Sequence, residues 1–373
     1  MDEDSLIQAL VARLPTGPGT QVGPGDDAAV VGFEDGRVAI TTDILVEGVH
    51  FRDAWSSGFD VGWRLAAQNL ADAAAMGAVP KSLVVALAGP PDRLSGRWGE
   101  EFARGLAAYC RRWHVGVVGG DVSAGPSLVA CGTALGDLEG RPPVLRSGAR
   151  AGQVVAVSDA VASASSPGDG WALGGSAAGL AWLEDSGCQA QPESLQTTFR
   201  SNPPEGRGSL QTTSQPESLQ TTSWLNTPVD DPASLADAAV AAYLRPDPPL
   251  DLGRSAALGG ATAMMDISDG LGKDAARLAR ASGVRLVIDP ASPALAGAIS
   301  RWRPLAELLG RDPRQWVLAG GEDHALLATF GPDGELPDRW HGIGQVVAAG
   351  QDGPGVTFLG GDAPTGGWDH FQP

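Results

Sequence analysis

Apolar residues recur in two rhythms along the first part of the chain. Runs of mostly apolar residues predict strands, and apolar residues three or four positions apart predict helices with one buried face. The predicted strands are 38–42, 82–88, 115–118 and 127–135, and the predicted helices are 60–76 and 100–113. Asp60 is the expected N-cap of the first helix, and Gly77 is its expected stop.

The second part of the chain repeats this alternation. Predicted strands cover 154–157, 262–265, 284–288 and 325–329, and predicted helices cover 176–183 and 270–281. In both parts a strand leads through an aspartate-bearing turn to a helix and then to another strand. The pattern predicts an α/β (α+β) protein whose two halves have a related plan. Its 373 residues suit two domains, which we expect at 1–145 and 146–373.

A polar repeat interrupts the second part. The octapeptide Gln-Pro-Glu-Ser-Leu-Gln-Thr-Thr occupies 191–198 and recurs at 215–222, with a partial copy at 208–213. A unit this short and this rich in Gln, Ser, Thr and Pro suits neither a solenoid repeat nor a core. We therefore predict that 188–232 is a disordered surface insertion without a catalytic role.

The chain is acidic, with 44 Asp and Glu against 26 Lys and Arg and a formal net charge of -18. Such a surface repels nucleic acid and anionic lipid, so we expect neither as a partner. The three cysteines include no C-x-x-C pair. The amino terminus lacks the pattern of a signal peptide, and no apolar stretch approaches ~20 residues, so we expect a cytoplasmic protein without a membrane span.

Six aspartates stand in glycine-rich or strand-ending turns that are far apart in the sequence. Asp43 and Asp121 end predicted strands, where α/β proteins bind ligands. Asp266 and Asp269 are three residues apart at a strand-to-helix turn, where both can face one spot beside a helix N-terminus. Crowded carboxylates are costly unless cations neutralise them. If they converge, the six predict a magnesium site that holds phosphates: Asp27, Asp43, Asp72, Asp121, Asp266 and Asp269.

Familiar nucleotide and zinc motifs do not supply an alternative site. Residues 23–28 match G-x-G-x-x-A, but the residues that follow are strand-like rather than helical, so the match is not a dinucleotide loop. No G-x-x-x-x-G-K-[ST] loop and no G-x-S-x-G elbow is present. The five histidines show no zinc spacing. Phosphate binding therefore depends on the aspartates.

Eight segments, taken in order, carry a resemblance to a known family. They are 25–28, 41–51, 69–78, 119–121, 146–149, 176–180, 266–271 and 320–323. Together they resemble the thiamine-monophosphate kinase family, of the superfamily that includes aminoimidazole ribonucleotide synthetase. The match covers nearly the whole chain apart from the repeat. The segments 41–51 (TTDILVEGVHF) and 320–323 (GGED) are the ones specific to the kinase branch.

The resemblance implies ATP-dependent phosphorylation of thiamine monophosphate to thiamine diphosphate, with several Mg²⁺ ions. It also implies a two-domain fold like that of aminoimidazole ribonucleotide synthetase, in which the N-terminal sheet pairs across a homodimer and the C-terminal domain is α/β. Transfer would be in-line, with ATP and substrate between the domains. The acceptor phosphate has a second pKa of ~6 and is mostly ionised at pH 7, so no catalytic base is expected.

The resemblance implies site residues by position. The metal ligands would be Asp27, Thr41, Thr42, Asp43, Asp72, Asp121, Asp266 and Asp269. The ATP contacts would be Trp113, Gly120, Asp121, Arg146 and Ser268, with Trp113 stacking on the adenine. The contacts to thiamine phosphate would be His50, Glu322 and Trp368. An aromatic face and a carboxylate suit the thiazolium cation of thiamine.

Two features depart from the family pattern, and three alternatives stay open. His324 stands where tyrosine is usual, and 158–175 is longer than the corresponding loop. Another ATP-using synthetase of the superfamily is one alternative, although a selenophosphate synthetase would carry an early reactive cysteine and the first here is Cys110. A hydrogenase-maturation dehydratase would end in a cysteine tail, unlike 370–373. A nucleotide-binding scaffold without catalysis and a metal-dependent phosphohydrolase are the others.

Overall fold

The computed structural model describes residues 10–22, 30–160, 173–185 and 232–361. Two predicted site residues, Asp27 and Trp368, lie outside these ranges. The predicted insertion up to residue 231 and the part of the longer loop at 161–172 lie outside them as well. What the sequence predicts for these residues stays a prediction.

The first part of the chain alternates strands with helices, as predicted. Its elements are β1 (Thr20–Val22), β2 (Val30–Val31), β3 (Ala39–Val46), α1 (Gly58–Ala75), β4 (Val79–Gly89), α2 (Pro91–Leu94), α3 (Arg97–Arg112), β5 (Gly116–Ala124) and β6 (Val129–Asp137). Strands β3, β6, β4 and β5 form one sheet in that order. In it β4 and β5 are parallel, and the other neighbours are antiparallel. Strands β1 and β2 form a separate antiparallel pair.

Helices α1 and α3 pack closely together on this sheet. α1 begins at a capping box in which Ser57 Oγ accepts from the backbone N–H of Asp60 and the Asp60 carboxylate accepts from that of Ser57. The N-cap is therefore Ser57, and the prediction of Asp60 was wrong because Asp60 is the third helical residue of the same box. A side chain at Gly62 or Gly105 would collide with the backbone of the opposite helix, so these glycines permit the close packing.

The second part of the chain builds a larger sheet. Its elements are β7 (Val154–Ser158), α4 (Gly175–Asp185), α5 (Pro232–Leu244), α6 (Leu250–Leu258), β8 (Ala263–Asp266), α7 (Leu271–Ser282), β9 (Val284–Ile288), α8 (Pro293–Leu309), α9 (Pro313–Ala319), β10 (Leu326–Phe330), β11 (Trp340–Ala348) and β12 (Gly355–Phe358). The strand order is β12-β9-β11-β7-β10-β8, and only the β12–β9 neighbours are parallel. The mixed α/β class is confirmed. The related plan of the two halves is wrong, because the described sheets differ in strand number, order and direction.

Each sheet has its own hydrophobic core. Leu70, Phe102 and Leu106 lie in the cluster beneath α1 and α3, whereas Trp302 and Leu327 lie in the cluster of the second sheet. Separate cores of this kind support the predicted division near residue 145, which stays a proposal. None of the described helices is long and apolar enough to span a bilayer. The predicted cytoplasmic location stays a prediction.

Candidate active site

Strand β3 and helix α1 form the first wall of the site. Thr41 and Asp43 are two residues apart on β3 and therefore share a face of the sheet. The Thr41 hydroxyl donates to Asp72 Oδ2 on α1 at 2.7 Å. The backbone N–H of Asp43 donates to Asn69 Oδ1 at 3.0 Å, and the Asn69 amide donates to Leu65 O at 2.8 Å. Asn69 received no role from the sequence, although its place three residues before Asp72 on one helix face could have indicated it.

The turn between β8 and α7 forms the second wall. Asp266 ends β8, and Asp269 lies just before α7, as predicted. Asp269 Oδ2 accepts a hydrogen bond from Arg277 at 2.5 Å and lies 3.2 Å from Lys273 Nζ. Its backbone N–H donates to the fully buried carboxylate of Asp274 at 2.9 Å. The sequence did not single out Asp274, because an acidic residue in the first turn of a helix is ordinary.

The segment 320–324 forms the third wall. The backbone N–H groups of Glu322 and His324 donate to the carbonyl oxygens of Ser268 and Ile267, at 2.8 and 3.0 Å. His324 Nδ1 lies 3.1 Å from Asp266 Oδ2. Glu322 and His324 have φ values of 70° and 54°, in the left-handed region that residues with side chains seldom adopt. Such backbone strain is concentrated at functional sites.

Asp323 anchors this segment to the start of α4. Its carboxylate accepts hydrogen bonds from the backbone N–H groups of Gly174 at 2.5 Å and Ser176 at 3.0 Å. A negative charge is favourable at a helix N-terminus. Burial nevertheless raises the pKa of Asp323 to about 6, against the effect of these bonds. Asp323 therefore positions its neighbour Glu322 rather than facing the site itself.

Carboxylates from both sheets act on one another in the space between these walls. Burial, followed by the negative charges of Asp266 and Asp43, raises the pKa of Asp72 to about 7. Burial and the charge of Asp266 likewise raise the pKa of Asp274 to about 6. Such effects require the charges to lie close together in a poorly solvated place. The structure thus brings Asp43, Asp72 and Asp266 together, although they are far apart in the sequence.

His324 supplies a positive charge to this acidic cluster. Burial opposes protonation of the imidazole, but the hydrogen bond and charge of Asp266, and then the charges of Glu322 and Asp43, raise the pKa of His324 to about 9. The imidazolium in turn lowers the pKa of Asp72. The imidazolium of His324 therefore offsets part of the negative charge of the cluster. In the family pattern this position is a tyrosine.

The loop after β3 carries the predicted substrate contact His50. Its Nδ1 accepts a hydrogen bond from the backbone N–H of Val46 at 3.0 Å. Glu47 fixes the same loop, since one carboxylate oxygen accepts from Leu128 N at 3.1 Å and the other lies 2.9 Å from Arg93 Nη1. These bonds hold the loop against the start of β6.

His50 and Glu322, both predicted to contact the substrate, meet at one arginine. Arg64 on α1 donates through Nη1 to the carbonyl oxygen of His50 at 3.0 Å and pairs through Nη2 with Glu322 Oε2. Burial would raise the pKa of Glu322, but Arg64 and then His324 and His50 lower it. Glu322 is thereby kept ionised in a largely enclosed position.

Comparisons with known proteins identify the family of this chain. The family model described as AIR synthase related protein, N-terminal domain, matches residues 25–138. A thiamine-monophosphate kinase of Mycobacterium tuberculosis is 38% identical over 373 residues, which are 100% of this chain and 92% of that protein. The chain belongs to the thiamine-monophosphate kinase family. A family member from Bacillus subtilis is 28% identical over 355 residues. The matched region covers 94% of this chain and 88% of that protein.

Solved structures of this kinase family also match the fold. AaThiL complexed with AMPPCP and TMP has a TM-score of 0.65 and 29% identity, covering 90% of this chain and 87% of that one. The thiamine-monophosphate kinase of Stenotrophomonas maltophilia K279a has a TM-score of 0.69 and 26% identity, covering 97% and 98%. The predicted kinase family and its two-sheet fold are therefore confirmed.

Not every residue that the kinase resemblance indicated lies beside the acidic cluster in a single chain. Asp43 and Asp121 lie within β3 and β5 rather than at strand ends, so that prediction was wrong. Across the sheet, Asp43 on β3 lies opposite Gly132 on β6, and Gly132 lies opposite Val85 on β4. Val85 in turn lies opposite Gly120 on β5. Asp121 follows Gly120, so it is three strands away from Asp43 and faces the opposite side of the sheet.

Thr42 shares that outer side. Its hydroxyl donates to Gly132 O at 2.7 Å and accepts from the Thr133 hydroxyl at 3.1 Å, whereas the neighbouring Thr41 faces Asp72. The metal-ligand roles of Thr42 and Asp121 therefore stay predictions. The structure gives these two residues a shared surface, which is distinct from the surface of the acidic cluster.

The predicted ATP contacts are spread over four places, one of which is Gly120 and Asp121 on β5. Trp113 caps α3 and packs against the first core, with the Arg112 guanidinium 5.9 Å from its ring centroid. Arg146 is exposed in the segment before β7, and Ser268 lies in the turn beside Asp269. Only Ser268 is adjacent to the acidic cluster, through its neighbours Asp266 and Asp269. The ATP-binding roles stay predictions.

The donor set of the cluster fits a hard divalent cation. Carboxylate and hydroxyl oxygens are the ligands that Mg²⁺ prefers, and Asp43, Asp72, Asp266 and Thr41 offer these alone. Burial, and then the negative charges of Asp266 and Asp43, raise the pKa of Asp72, and a bound cation would oppose both effects. Among the described residues, no group of three His, Cys, Asp or Glu side chains could hold a metal ion as the side chains stand. Asp27, a further predicted ligand, lies outside the described ranges.

Proposed function

We propose that this chain transfers the γ-phosphoryl group of ATP to the phosphate of thiamine monophosphate, forming thiamine diphosphate and ADP. The observation that carries the proposal is the gathering of Asp43, Asp72 and Asp266, from the two sheets and helix α1, in a chain of this kinase family. AaThiL, a structural neighbour, was solved with AMPPCP and TMP, which supports a nucleotide and a thiamine phosphate as the ligands.

Magnesium is the cofactor that this donor set supports best. Asp43, Asp72, Asp266 and Thr41 would hold the ions together with Asp27 and Asp269 from the sequence prediction. Thr42 and Asp121, which are also predicted ligands, face the other side of the sheet and would ligate only ions bound there. When bound, Mg²⁺ neutralises phosphate oxygens and stabilises the charge that develops on the transferred group. The charge argument requires several ions, on the order of three to five, for six carboxylates, ATP and a phosphate acceptor.

The reaction needs little acid–base chemistry from the chain. An oxygen of the substrate phosphate forms a bond to the γ-phosphorus of ATP while the bond from that phosphorus to the β-phosphate oxygen breaks, and ADP leaves with that electron pair. The attacking oxygen is already ionised at pH 7, because the second pKa of a phosphate monoester is ~6. The work of the protein is alignment of donor and acceptor and neutralisation of charge.

The thiamine end of the substrate suits the side of the site formed by His50 and Glu322. A carboxylate favours a thiazolium cation, and Glu322 is kept ionised by its surroundings. Trp368, predicted to add an aromatic face, lies outside the described residues. We assign ATP to Trp113, Gly120, Asp121, Arg146 and Ser268 on the strength of the resemblance.

We further propose that the chain works as a homodimer joined through the outer face of the first sheet. Ile40 and Ile44 alternate with inward-facing residues of β3 and are 66% and 48% exposed, and the adjacent Val38 is 42% exposed. Adjacent apolar side chains of this kind are unusual on a free surface. Thr42 and Asp121 lie on the same face, so a partner seated there would also enclose two predicted metal ligands.

One assay separates the kinase from its alternatives. The chain is incubated with ATP, Mg²⁺ and thiamine monophosphate, and the products are separated by chromatography. Thiamine diphosphate and ADP in equal amounts are expected. ADP without the diphosphate would indicate another acceptor, and free thiamine would indicate a phosphohydrolase. ATP binding without any product would indicate a scaffold and would overturn the proposal.

A further inference from the structure

Arg64 is a deeply buried arginine beside the candidate active site. The reaction described above gives it no role. It lies on α1, eight residues before Asp72, and its side chain is 4% exposed. A buried guanidinium is costly unless its donors are satisfied, so the partners it has indicate what it is for. Arg64 uses two of its nitrogens on residues that are predicted to touch the substrate.

The contacts of Arg64 join distant parts of the chain. Nη1 donates to the carbonyl oxygen of His50 at 3.0 Å, in the loop after β3. Nη2 pairs with Glu322 Oε2, in the strained segment 320–324 of the second sheet. The guanidinium carbon lies 4.9 Å from the ring centroid of Tyr243 at the end of α5. One planar side chain therefore fixes three elements at once, which a flexible ammonium could not do in the same geometry.

The pairing leaves Glu322 usable by a ligand. Arg64 pairs with Oε2 of the Glu322 carboxylate. The side chain of Glu322 is 28% exposed, whereas that of Arg64 is 4% exposed, so the carboxylate rather than the guanidinium faces the opening. Arg64 thus supports Glu322 from behind.

We infer that Arg64 is a positioning residue for the thiamine end of the substrate, which acts by orienting the Glu322 carboxylate and the His50 loop. The inference rests on the proposed function. It predicts a specific kinetic signature, because the hydrogen bonds of Arg64 reach the His50 loop and Glu322, both assigned to the acceptor side. Losing it should weaken binding of thiamine monophosphate and should leave ATP binding nearly unchanged.

The test compares Arg64→Met, Arg64→Lys, Glu322→Gln and the double variant Arg64→Met/Glu322→Gln. For Arg64→Met we expect the KM for thiamine monophosphate to rise at least ~10-fold, since a buried charge-assisted pair is lost. The KM for ATP should stay within about 3-fold, because the change removes acceptor binding only. Arg64→Lys keeps the charge but loses the fork, so it should restore part of the affinity. Calorimetric titration with thiamine monophosphate gives a second, activity-independent measure.

The double variant distinguishes positioning from a general structural role. Because Arg64 acts in part through Glu322, Arg64→Met should raise the KM for thiamine monophosphate by a smaller factor in the Glu322→Gln background than in the wild type, since coupled residues are not additive. Arg254→Met is the matched control, since it breaks another ion pair between the two parts of the chain, with Glu139 at 2.6 Å. Its KM values should equal those of the wild type.

The experiment distinguishes failure of the Arg64 inference from failure of the proposed kinase function. Wild-type protein that makes no thiamine diphosphate would refute the kinase proposal, and this inference with it. Wild-type activity together with multiplicative effects in the double variant, or equal rises of both KM values in Arg64→Met, would overturn the role of Arg64 alone. If Arg64→Met does not fold, Arg64→Lys tests the same inference. The KM for thiamine monophosphate should then rise more than the KM for ATP.

Discussion

The Thr41 hydroxyl donates a 2.7 Å hydrogen bond to the carboxylate of Asp72, joining β3 to α1 under the acidic cluster. This bond stabilises the ionised form of Asp72, whereas burial and the charges of Asp266 and Asp43 disfavour it. The balance leaves a carboxylate that is only partly ionised at neutral pH without a cation. A bound divalent ion would complete the ionisation and release a proton.

Replacing Asp43 or Asp72 by Asn should abolish turnover and preserve the fold. Each change removes a negative charge that the proposed metal ions require, so the rate with ATP and thiamine monophosphate should fall at least ~100-fold. In the absence of metal the melting temperature should not fall, since mutual repulsion within the cluster is reduced. Kinase assays and thermal melts in EDTA check both expectations. Asp338→Asn, at an exposed turn, is the control. Normal rates in Asp43→Asn would contradict the metal site.

The sequence predicted the elements and the chemistry of this site better than its geometry. Predicted strands such as 325–329 match observed strands such as β10, because runs of buried apolar residues mark strands locally. Asp266 and Asp269 were correctly placed at a strand-to-helix turn. The outward direction of Thr42 and Asp121 was missed, because a side chain's face depends on the register between strands, which one strand's sequence does not contain.

The supporting residues were missed for a different reason. Arg64, Asn69 and Asp274 stand on helices, where a polar residue usually faces solvent. Their burial follows from the packing of each helix against a sheet or a neighbouring segment, which local patterns do not report. The family resemblance indicated residues that are predicted to contact ligands, and it did not indicate the residues that position them. The hydrogen bonds and ion pairs of the structure identify these supporting residues.

Gly132→Ala should disturb the site through Asn69. A Cβ at residue 132 on β6 would lie 2.6 Å from the Asn69 side-chain nitrogen, so the amide must move and its bond to the backbone of Asp43 would weaken. We expect a loss of about 1–3 kcal/mol in unfolding free energy and a lower rate. Denaturant titration and kinase assays measure these effects. Gly297→Ala, on α8, should be neutral or stabilising, because outside the backbone of its own helix nothing lies within 4 Å of the added carbon. Equal behaviour of the two variants would contradict this account.

Ile44→Glu should convert a dimer into monomers. Its side chain is 48% exposed on the outer face of β3, and a carboxylate buried there against a partner would lack a compensating charge. Light scattering coupled to size-exclusion chromatography should show half the wild-type mass, with an unchanged circular-dichroism spectrum. Leu308→Glu is the control, because Leu308 is 61% exposed on α8, away from this face. A monomeric wild-type protein, or a dimeric Ile44→Glu variant, would contradict the proposed interface.

Asp247 should make stability depend on pH between about 4 and 6. It is buried between α5 and α6, with Oδ1 unpartnered and Oδ2 2.9 Å from Arg112 Nη1. Burial raises the pKa of Asp247 from its ordinary 3.8 to about 6, and Arg112 opposes the rise. The folded state therefore binds the proton more tightly than the unfolded state does. The resulting stabilisation is fully present below pH 3.8 and is lost as the pH rises through about 6.

Asp247→Asn removes this titration and so tests the sign. The unfolding free energy of the variant relative to wild type should increase from pH 4 to pH 7, by up to about 3 kcal/mol for a pKa change of this size. Above pH 7 the difference should be constant, because Asp247 is then ionised in both states. Denaturation midpoints at four pH values measure it, with Asp333→Asn in an exposed turn as the flat control. A difference that falls with pH would mean that the Arg112 pair outweighs burial, and the buried carboxylate would then be a source of stability at neutral pH.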